Sequence, residues 1–437
     1  MLAWDFFGII YYIIEVKKMK PKKGIGPYLI AGLIIGIIGI ILIIVSYYTP
    51  YTTNRKFVTN NIVNNEITTK TVEYGELQID DVDVAIQTAA KKVSDAVIGV
   101  TMKVMVKSGA KVVESNYAVG SGVIYKRTEV RDNEGNLVNY LYHVITNRHL
   151  TTVSSGTTVE AINMYVYLGN LDREIKATLV GVDSKVDLAL LTFEDSAYIN
   201  PVSFADSSSL NAGQLAIAIG NPDGYDYYGS VTFGVISGPL RYISTDTDND
   251  GVRDFYAEYI QHDVPINPGN SGGGLFNLKG ELIGINTLKI AAENVEGMGF
   301  AIPSNTVQTI VVNYLEAGVP IIRPRLGVTG MEIRSLSEYA IENSEDIISI
   351  PDIYQGEAPY GIYVVEVSSG TTISTTEIEK HDIILAINDV KITRMYIINS
   401  KLNSLEDGFK VGETVTITYY DRSSGEIKTT QAVLKKS

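Results

Sequence analysis

Short apolar runs separated by turn residues fill most of this chain, and they restrict its fold more than any other feature. The runs begin near residue 96 and recur without long helical stretches between them: Ala96–Val106, Ser121–Tyr125, Tyr140–Ile145, Met164–Tyr167, Leu188–Phe193, Gln214–Ile219, Val231–Ile236, Leu282–Ile285 and Gly299–Ile302. Strands at this spacing, rich in Val, Ile, Thr and Tyr, are typical of a sandwich or a barrel. The sequence therefore predicts a mainly β protein.

Amphipathic helices are expected at both borders of this β region. Val82–Val97 repeats apolar residues near helical spacing. A second helix begins at Pro303-Ser304, which offers an N-cap, and ends at Gly318 and Pro320. We therefore predict one domain at 81–320 and a smaller one at 321–437. The smaller domain has its own β-runs at Leu326–Val328, Gly361–Val367, Ile383–Ile387 and Thr414–Tyr420.

The N-terminal part contains a long segment without charge. Gly24–Thr53 carries no charged side chain, and about 20 apolar residues suffice to cross a bilayer. We predict a cytoplasmic tail at 1–23, a transmembrane signal-anchor helix at 24–48 and a linker at 49–80. A cleaved signal peptide is the alternative, but no small-x-small cleavage site follows the span. Lysines before the span predict export of everything after it: Lys17, Lys18, Lys20, Lys22 and Lys23.

The composition excludes several functions. The net charge of −14 argues against a nucleic-acid partner, because no basic stripe is available to neutralise phosphates. The chain has no cysteine, which removes disulfides, thiolate catalysis and zinc–thiolate sites. We predict no cofactor.

The segment Asn267–Gly274 reads Asn-Pro-Gly-Asn-Ser-Gly-Gly-Gly and places Ser271 directly before three glycines. Glycines beside a serine let the backbone turn sharply, so that N–H groups can point into one hollow and hold a developing oxyanion. A plain turn is the alternative, because the same residues are common in turns. A nucleophilic serine also needs a base and an orienting acid.

Only four histidines are available as the base. His149 follows an apolar strand and would lie at the rim of a barrel. His143 falls inside that strand and is expected to pack. His262, beside Asp263, is a possible rival, and His381 lies in the last domain.

Asp187 is the favoured orienting acid. It heads the apolar run Leu188–Leu191, where a carboxylate is costly unless it is hydrogen-bonded, and an imidazole N–H would satisfy it. Asp183 is the weaker candidate. The order His149, Asp187, Ser271 is that of chymotrypsin-like enzymes, and not that of subtilisin or the α/β-hydrolases.

Six motifs in this order resemble the HtrA/Deg serine proteases: Thr146-Asn147-x-His149, Asp187-Leu188-Ala189, Ala218–Pro222, Gly234–Ser237, Asn267–Gly273 and Gly299–Pro303. The resemblance implies a chymotrypsin-like pair of six-stranded β-barrels followed by a PDZ domain. It implies that Gly269 and Ser271 supply oxyanion-hole N–H groups and that Asn270 shapes their loop. It further implies a homotrimer and ATP-independent degradation of misfolded exported proteins.

The resemblance also predicts the substrate specificity and shows where this sequence differs from the family pattern. In this fold the primary specificity pocket is built from residues just before the serine and from a later strand. In this chain those residues are Pro265, Ile266, Ile285, Asn286 and Thr287. None of them is an acid that could pair with Lys or Arg, so we predict cleavage after small aliphatic P1 residues. Three residues depart from the family pattern, namely His262, Arg148 and Gly274. None of them removes a catalytic group.

The last domain offers a predicted peptide site. Arg325-Leu326-Gly327-Val328 resembles the carboxylate-binding loop of HtrA-type PDZ domains, where backbone N–H groups receive the C-terminus of a peptide. Tyr360–Val364 and His381–Asn388 also match the PDZ pattern, although His381 replaces the usual glycine.

An acidic loop copies the first part of a calcium-binding pattern at Asp246, Asp248, Asp250 and Asp254. Position 12 of that pattern is Ala257 instead of Glu, so a solvated hairpin tip is favoured over a metal site.

A rival function for the whole chain is a peptide-binding chaperone or scaffold, and a membrane adaptor that uses only the PDZ domain is a third possible function. The adaptor does not explain why the His, Asp and Ser motifs occur together.

Overall fold

The computed structural model describes residues 58–63, 66–71, 79–108, 111–153, 157, 159–222, 226–245, 255–289, 297–336 and 350–436. They fall into two compact units, which divide between Gln78 and Ile79. Within these ranges no helix is both long enough and apolar enough to cross a membrane. The predicted tail and membrane helix lie outside the described residues.

The first unit contains a hairpin where the sequence predicted only a linker. Strands β1 (Val58–Val63) and β2 (Glu66–Thr71) pair antiparallel, from Val58 opposite Thr71 to Val63 opposite Glu66. Both strands contain β-branched Val, Ile or Thr, which suit extended backbone. Two strands alone are marginally stable, so this correction concerns local structure and adds no domain.

The second unit opens with helix α1 (Ile79–Val93), three residues earlier than predicted. The helix ends early because Val97 begins a strand. Ala89 and Val93 are buried in the same core as the barrels. Lys92 Nζ also donates to Lys279 O at 2.8 Å, so α1 is attached to the second barrel as well as to the chain that follows it.

Six strands form a closed first barrel in the order β3-β4-β5-β8-β7-β6. Their bounds are β3 Val97–Ser108, β4 Lys111–Arg131, β5 Leu137–Asn147, β6 Ala161–Leu168, β7 Arg173–Asp183 and β8 Leu188–Asp195. Successive side chains of a strand point to opposite faces, so every second residue faces the barrel interior. In β6, Met164, Val166 and Leu168 are buried, while the residues between them are partly exposed.

The second barrel follows with seven strands: β9 Ser203–Phe204, β10 Leu215–Gly220, β11 Ser230–Thr245, β12 Phe255–His262, β13 Gly274–Phe276, β14 Glu281–Lys289 and β15 Gly299–Pro303. The order is β13-β10-β11-β12-β15-β14-β9, and pairing of β13 with β14 closes six of them into a ring. Strand β9 adds to β14 in parallel. The prediction of a mainly β, chymotrypsin-like double barrel is confirmed.

Helix α2 (Ser304–Ile310) leaves the second barrel and continues as a π-helical turn at Val311–Leu315. Ser304 is not the N-cap that the sequence predicted. Pro303 occupies that position, and the Ser304 hydroxyl donates to Ala205 O at 2.7 Å. The helix packs back on the first barrel, where Leu315 lies over Gly181.

The C-terminal domain, as we name residues 321–436, has its own sheet and core. Its elements are β16 Pro324–Arg325, β17 Val328–Glu332, β18 Ile362–Val367, β19 Ile383–Ile387, β20 Val390–Lys391, α3 Met395–Asn403, β21 Thr414–Asp421, β22 Glu426–Val433 and β23 Lys435–Lys436. The main sheet runs β17-β18-β19-β21-β22, with β20 on β19, and β16 pairs with β23. Ile384, Ile398 and Val415 belong to one buried cluster between sheet and helix.

A buried ion pair connects the C-terminal domain to the first barrel. Arg323 bonds Asp183 through two nitrogens, at 2.6 and 3.2 Å, and both side chains are almost fully buried. The same guanidinium donates from Nε to Asn403 O at 3.1 Å, at the end of α3. Tyr242 of β11 stacks on Tyr396 of α3 with ring centroids 4.5 Å apart. These contacts fix α3 against the double barrel.

Candidate active site

His149 and Asp187 meet at the edge of the first barrel. His149 lies in a 3₁₀ turn, Arg148–Thr151, that directly follows β5. Its Nδ1 lies 2.8 Å from Asp187 Oδ2, and its main-chain N–H donates to Asp187 Oδ1 at 2.9 Å. A carboxylate at Nδ1 holds the imidazole in the tautomer whose Nε2 can accept a proton. The His149 side chain is 47% exposed, so that second nitrogen is accessible.

The backbone at Asp187 is held from several sides. Its carbonyl accepts from Arg148 N–H at 3.1 Å and from Asn147 Nδ2 at 3.0 Å. Its φ of +62° lies in the left-handed region, which Asp tolerates better than most residues. This conformation turns the chain just before β8, so that the carboxylate points at the imidazole instead of continuing the strand.

Thr287 is a further partner of this carboxylate, and its role could not be read from the sequence. The Thr287 hydroxyl donates to Asp187 Oδ2 at 2.6 Å. The pairing of β14 with β15 shifts between Asn286 and Leu288, so Thr287 lies in a bulge, and bulges often redirect a side chain beside an active site. Thr287, which the sequence predicts as a pocket residue, also completes the hydrogen bonding of Asp187.

The loop around Ser271 forms a tight turn. Asn270 N–H donates to Asn267 O at 3.0 Å, and Gly269 has φ +99°. Proline at the second position and a glycine of positive φ at the third are typical of a type II turn. Among the described residues, the N–H groups of Gly269 and Ser271 donate to no protein acceptor. Two unoccupied donors this close together can bind an oxyanion.

Ser121, which the sequence did not single out, fixes the loop from below. Its hydroxyl donates to Gly269 O at 2.6 Å, and its N–H donates to Ser271 O at 2.9 Å. The chain approaches closely here, because a Cβ on Gly272 would lie 2.2 Å from Ser121 O. The carbonyls of the loop are therefore turned away from the hollow. A serine between two glycines inside a strand, Gly120-Ser121-Gly122, was the available signal.

The Ser271 hydroxyl makes no hydrogen bond with His149 in the part of the chain described here. Such contacts are often loose without substrate and tighten when it binds. The main chain of Asn286 ties the serine loop to β14, because it accepts from Gly272 N–H and donates to Gly273 O, both at 2.9 Å. The loop is thus anchored on the β14 side as well as by Ser121.

The other predicted pocket residues are mostly covered. Ile266 packs in a cluster with Ile283 and Ala301, whereas Ile285 belongs to the main core. Pro265 is exposed, and its carbonyl accepts from Thr232 at 3.0 Å. The buried Asn270 and Asn286 carboxamides find no hydrogen-bond partner within the described residues.

The rival acid and histidines lie elsewhere. Asp183 is committed to Arg323 and does not contact an imidazole. His143 packs edge-on against Tyr125 at 6.0 Å, and burial lowers its pKa. His381, at φ +80°, bonds Tyr363 in the C-terminal domain.

His262 is fully buried at the end of β12. Neither ring nitrogen has a hydrogen-bond partner of good geometry in the described chain, although Val264 and Asn286 lie near enough to favour the charged form weakly. The ring fits because position 299 is glycine, where a Cβ would lie 2.4 Å from Cε1. Burial outweighs these neighbours and lowers the pKa of His262 to about 4.

We expect His262 to make the fold acid-sensitive. Between its ordinary pKa of 6.5 and about 4, the unfolded chain binds a proton that the folded chain does not, so the free energy of unfolding falls as pH falls through this window. At pH 4.5 the loss should be about 2 kcal/mol. Urea unfolding of Ser271→Ala at pH 7.5 and 4.5, with and without His262→Gln, measures it. Equal losses in both proteins would contradict the prediction.

The carbonyls of the predicted carboxylate-binding loop are hydrogen-bonded, whereas two of its N–H groups are not, within the part of the chain that the structure describes. The carbonyls of Arg325, Leu326 and Gly327 accept from Thr372 Oγ1, Ile373 N–H and Ser368 N–H, at 2.5, 3.0 and 2.9 Å. The N–H groups of Leu326 and Gly327 donate to no acceptor among the described residues. Successive N–H groups that face one way form an anion-binding concavity.

A cavity of about 540 Å³ opens beside this loop. Its apolar wall combines Val328 of β17 with one face of α3, where Met395, Ile398 and Leu402 lie. A groove between a strand edge and a helix can accept an extended peptide as an added strand.

The predicted calcium ligands Asp246, Asp248, Asp250 and Asp254 lie outside the described residues. Within the described ranges, no group of three or more His, Asp or Glu side chains could hold a metal ion.

The sequence of this chain is similar to those of several serine proteases. A family model described as a trypsin-like peptidase domain matches residues 120–285. The serine protease Do-like HtrA of Lactobacillus helveticus is 35% identical over 306 residues, or 69% of this chain and 65% of that protein. This chain therefore spans just under two thirds of that relative. The Do-like HtrA of Lactococcus lactis subsp. lactis (strain IL1403) is 34% identical over 323 residues, or 73% of this chain and 71% of that protein.

A solved structure is similar over most of this chain. The HtrA-type protease AlgW with tripeptide superposes with a TM-score of 0.56 at 25% identity, and covers 80% of this chain and 97% of that one. The match therefore extends beyond the peptidase barrels into the C-terminal domain.

Proposed function

Because this chain belongs to the HtrA family of serine proteases, we propose that it is an endopeptidase whose triad is His149, Asp187 and Ser271. The observation that carries the proposal is the pairing of His149 Nδ1 with Asp187 Oδ2 at 2.8 Å beside a serine loop whose Gly269 and Ser271 N–H groups are unoccupied. A base, an orienting acid and oxyanion donors are the three requirements of a serine nucleophile.

The mechanism follows from these positions. His149 Nε2 takes the Ser271 proton while Ser271 Oγ attacks the peptide carbonyl carbon, and the Gly269 and Ser271 amides hold the oxyanion. The imidazolium then protonates the leaving amine, and water hydrolyses the acyl-enzyme by the same proton route. Asp187 stabilises the imidazolium and does not itself take the proton. Asn270 contributes the bend of the loop.

Active-site labelling tests the assignment of the nucleophile. A fluorophosphonate probe should phosphonylate the native full chain at one residue, and tryptic mass spectrometry should place the adduct on Ser271. Heat-denatured protein serves as the control, because a merely exposed serine would react equally before and after unfolding. An adduct on another serine, or none on the native protein, would reject the proposal.

Substrates are proposed to be misfolded or damaged exported proteins, bound as extended strands and cleaved without ATP after small aliphatic residues. The pocket side of the serine loop supports this preference, because Ile266 is buried in an apolar cluster with Ile283 and Ala301. The AlgW structures contain bound peptides, which supports a peptide ligand for this chain as well.

The C-terminal domain is proposed to be a PDZ domain that binds peptide C-termini through Arg325–Val328. The groove between β17 and α3, the occupied carbonyls and the unoccupied N–H groups of the loop support this role. A peptide whose terminal carboxylate is amidated should bind much more weakly than its free acid, because an uncharged amide is a poorer acceptor for these N–H groups.

Membrane anchoring by residues 24–48 and assembly as a homotrimer complete the proposal. The uncharged span after a lysine cluster supports the anchor. The full chain should stay in the membrane pellet after carbonate extraction, with the protease outside the cytoplasm, whereas a chain beginning at residue 49 should not stay there. Mass measurement in detergent tests the trimer, and a monomer would reject it.

A further inference from the structure

We propose that Ser121 of β4 is a positioning residue for peptide cleavage. Its hydroxyl holds Gly269 and its main-chain N–H holds Ser271, the two residues whose N–H groups are the proposed oxyanion donors. The inference rests on the proposed endopeptidase activity and deepens it, because it gives the first barrel a part in an oxyanion hole that the second barrel carries. Ser121 is fully buried, so it acts on the reaction through the serine loop.

The two hydrogen bonds from Ser121 reach the carbonyls of the two donor residues. The hydroxyl donates to Gly269 O at 2.6 Å, and the N–H donates to Ser271 O at 2.9 Å. The carbonyl between them, that of Asn270, accepts from Gly273 N–H at 3.0 Å within the loop. The loop therefore fixes its middle carbonyl by itself, whereas the carbonyls on either side of it are fixed by Ser121.

Gly269 is the position at which this loop most needs a restraint. Its φ of +99° suits glycine, which has no Cβ. The same freedom lets a glycine rotate between conformations more easily than any other residue. A hydroxyl that bonds Gly269 O restrains rotation on the carbonyl side of the Cα. The N–H on the other side of that Cα then stays directed into the hollow, so the proposed oxyanion donor depends on the Ser121 hydroxyl.

Asn221, which follows β10, sets the direction in which the Ser121 hydroxyl donates. Its N–H donates to Ser121 Oγ at 2.8 Å, and its Nδ2 is a second donor at 3.3 Å. The carboxamide is oriented in this way because Asn221 Oδ1 accepts from Gly229 N–H at 3.0 Å. A hydroxyl oxygen has two acceptor lone pairs and one proton. Since both lone pairs face donors, the proton is left for Gly269 O.

The surroundings of the hydroxyl are closed and tightly packed. Ser121 and Asn221 are both buried. A Cβ on Gly220 would lie 3.0 Å from Ser121 Oγ, and a Cβ on Gly273 would lie 3.2 Å from Ser121 Cβ. Loss of the hydroxyl therefore leaves the Gly269 carbonyl without its donor in a buried place. Because an unsatisfied buried carbonyl is costly, we expect Gly269 to rotate and its N–H to leave the oxyanion position.

Cleavage of a quenched peptide with an amidated C-terminus by the full chain and by its Ser121→Ala variant tests this role. We expect kcat to fall about 10- to 100-fold while KM stays within about twofold, because oxyanion donors act on the transition state more than on the bound peptide. A peptide boronic acid is the second probe, since its tetrahedral adduct with Ser271 places an oxygen in the oxyanion hole. Its Ki should rise by the same factor as kcat falls.

A second variant and a matched control accompany this measurement. Ser121→Cys keeps a donor at the same place, but a thiol is a weaker donor than a hydroxyl, so kcat and Ki should lie between those of the parent and of Ser121→Ala. The control is Ser304→Ala, which removes the hydroxyl of another fully buried serine, bonded to Ala205 O at 2.7 Å. It should lower the unfolding temperature but leave kcat and the boronate Ki unchanged.

The outcomes distinguish this inference from the proposed function. If Ser271→Ala cleaves the peptide as fast as the parent, the proposed active site fails and this inference fails with it. If Ser271→Ala is inactive but Ser121→Ala keeps the parental kcat and Ki, only the role of Ser121 is rejected. A fall in kcat without a rise in the boronate Ki also rejects it, because the loss then lies outside the oxyanion hole. If Ser121→Ala does not fold, an unchanged Ki for Ser121→Cys rejects the inference in the same way.

Discussion

Replacing Ser271 by alanine is expected to lower kcat for casein or a quenched peptide by about 10⁵- to 10⁶-fold, because no acyl-enzyme can form without the hydroxyl. The fold should be unaffected. Ser271 is attached to the rest of the protein through its main chain, with its carbonyl accepting from Ser121 N–H at 2.9 Å. Its hydroxyl has no hydrogen-bond partner among the described residues, so the substitution leaves no buried group unsatisfied.

Initial rates with excess substrate, together with thermal unfolding, measure this prediction. Ser237→Ala is the matched control, since Ser237 is exposed on β11 and outside the site. It should keep parental activity. The Ser271→Ala protein should unfold at the parental temperature. Retention of more than about 1% of the parental kcat, beyond the residual rate that oxyanion donors alone can provide, would contradict the proposed nucleophile.

The double barrel could be predicted because its signal is local. Strands such as β6 alternate buried and exposed residues, and Leu188–Leu191 of β8 are all buried. The apolar pattern of each strand therefore predicts which of its residues face the core. The β1–β2 hairpin could not be predicted in the same way. Its strands contain mostly Thr, Asn, Glu and Lys, and polar strands show no alternation of apolar and polar residues.

Contacts between residues far apart in sequence cannot be predicted from local sequence patterns. The apolar strand that follows Asp187 favours it over Asp183 as the orienting acid. The structure adds a reason that no local pattern contains, because Asp183 is bonded to Arg323, 140 residues later. Likewise Ser121 reaches Gly269 across 148 residues. Such contacts depend on strand register and domain docking.

The small number of histidines identifies the catalytic base more clearly than the serine motif does. With four histidines in the chain, burial separates them: His149 is exposed beside Asp187, whereas His262 has no exposed surface. The sequence could place His262 next to Asp263, but it could not show that Gly299 leaves room for the ring inside the barrel. The departure of His262 from the family pattern is therefore accommodated by packing.

Asp187→Asn is the second substitution with a very large expected effect, a loss of about 10⁴-fold in kcat. In this structure three donors converge on the carboxylate: His149 N–H on Oδ1, and the His149 ring and the Thr287 hydroxyl on Oδ2. An asparagine offers one acceptor oxygen and one donor NH₂. If its oxygen keeps the His149 main-chain bond, its NH₂ faces Nδ1 and selects the wrong tautomer, in which Nε2 carries the proton.

Thr287→Val distinguishes the effect of a wrong His149 tautomer from the effect of losing one hydrogen bond to the Asp187 carboxylate. Valine removes the hydroxyl bond to Oδ2 but leaves the carboxylate and the imidazole bond in place, so kcat should fall only about tenfold. Stopped-flow labelling by a fluorophosphonate should follow the same ranking, since it requires the same proton transfer. An Asp187→Asn enzyme with activity close to that of Thr287→Val would show that the carboxylate is not the orienting acid. In that case the contact at 2.8 Å would be structural, and the tautomer of His149 would have to be set from elsewhere.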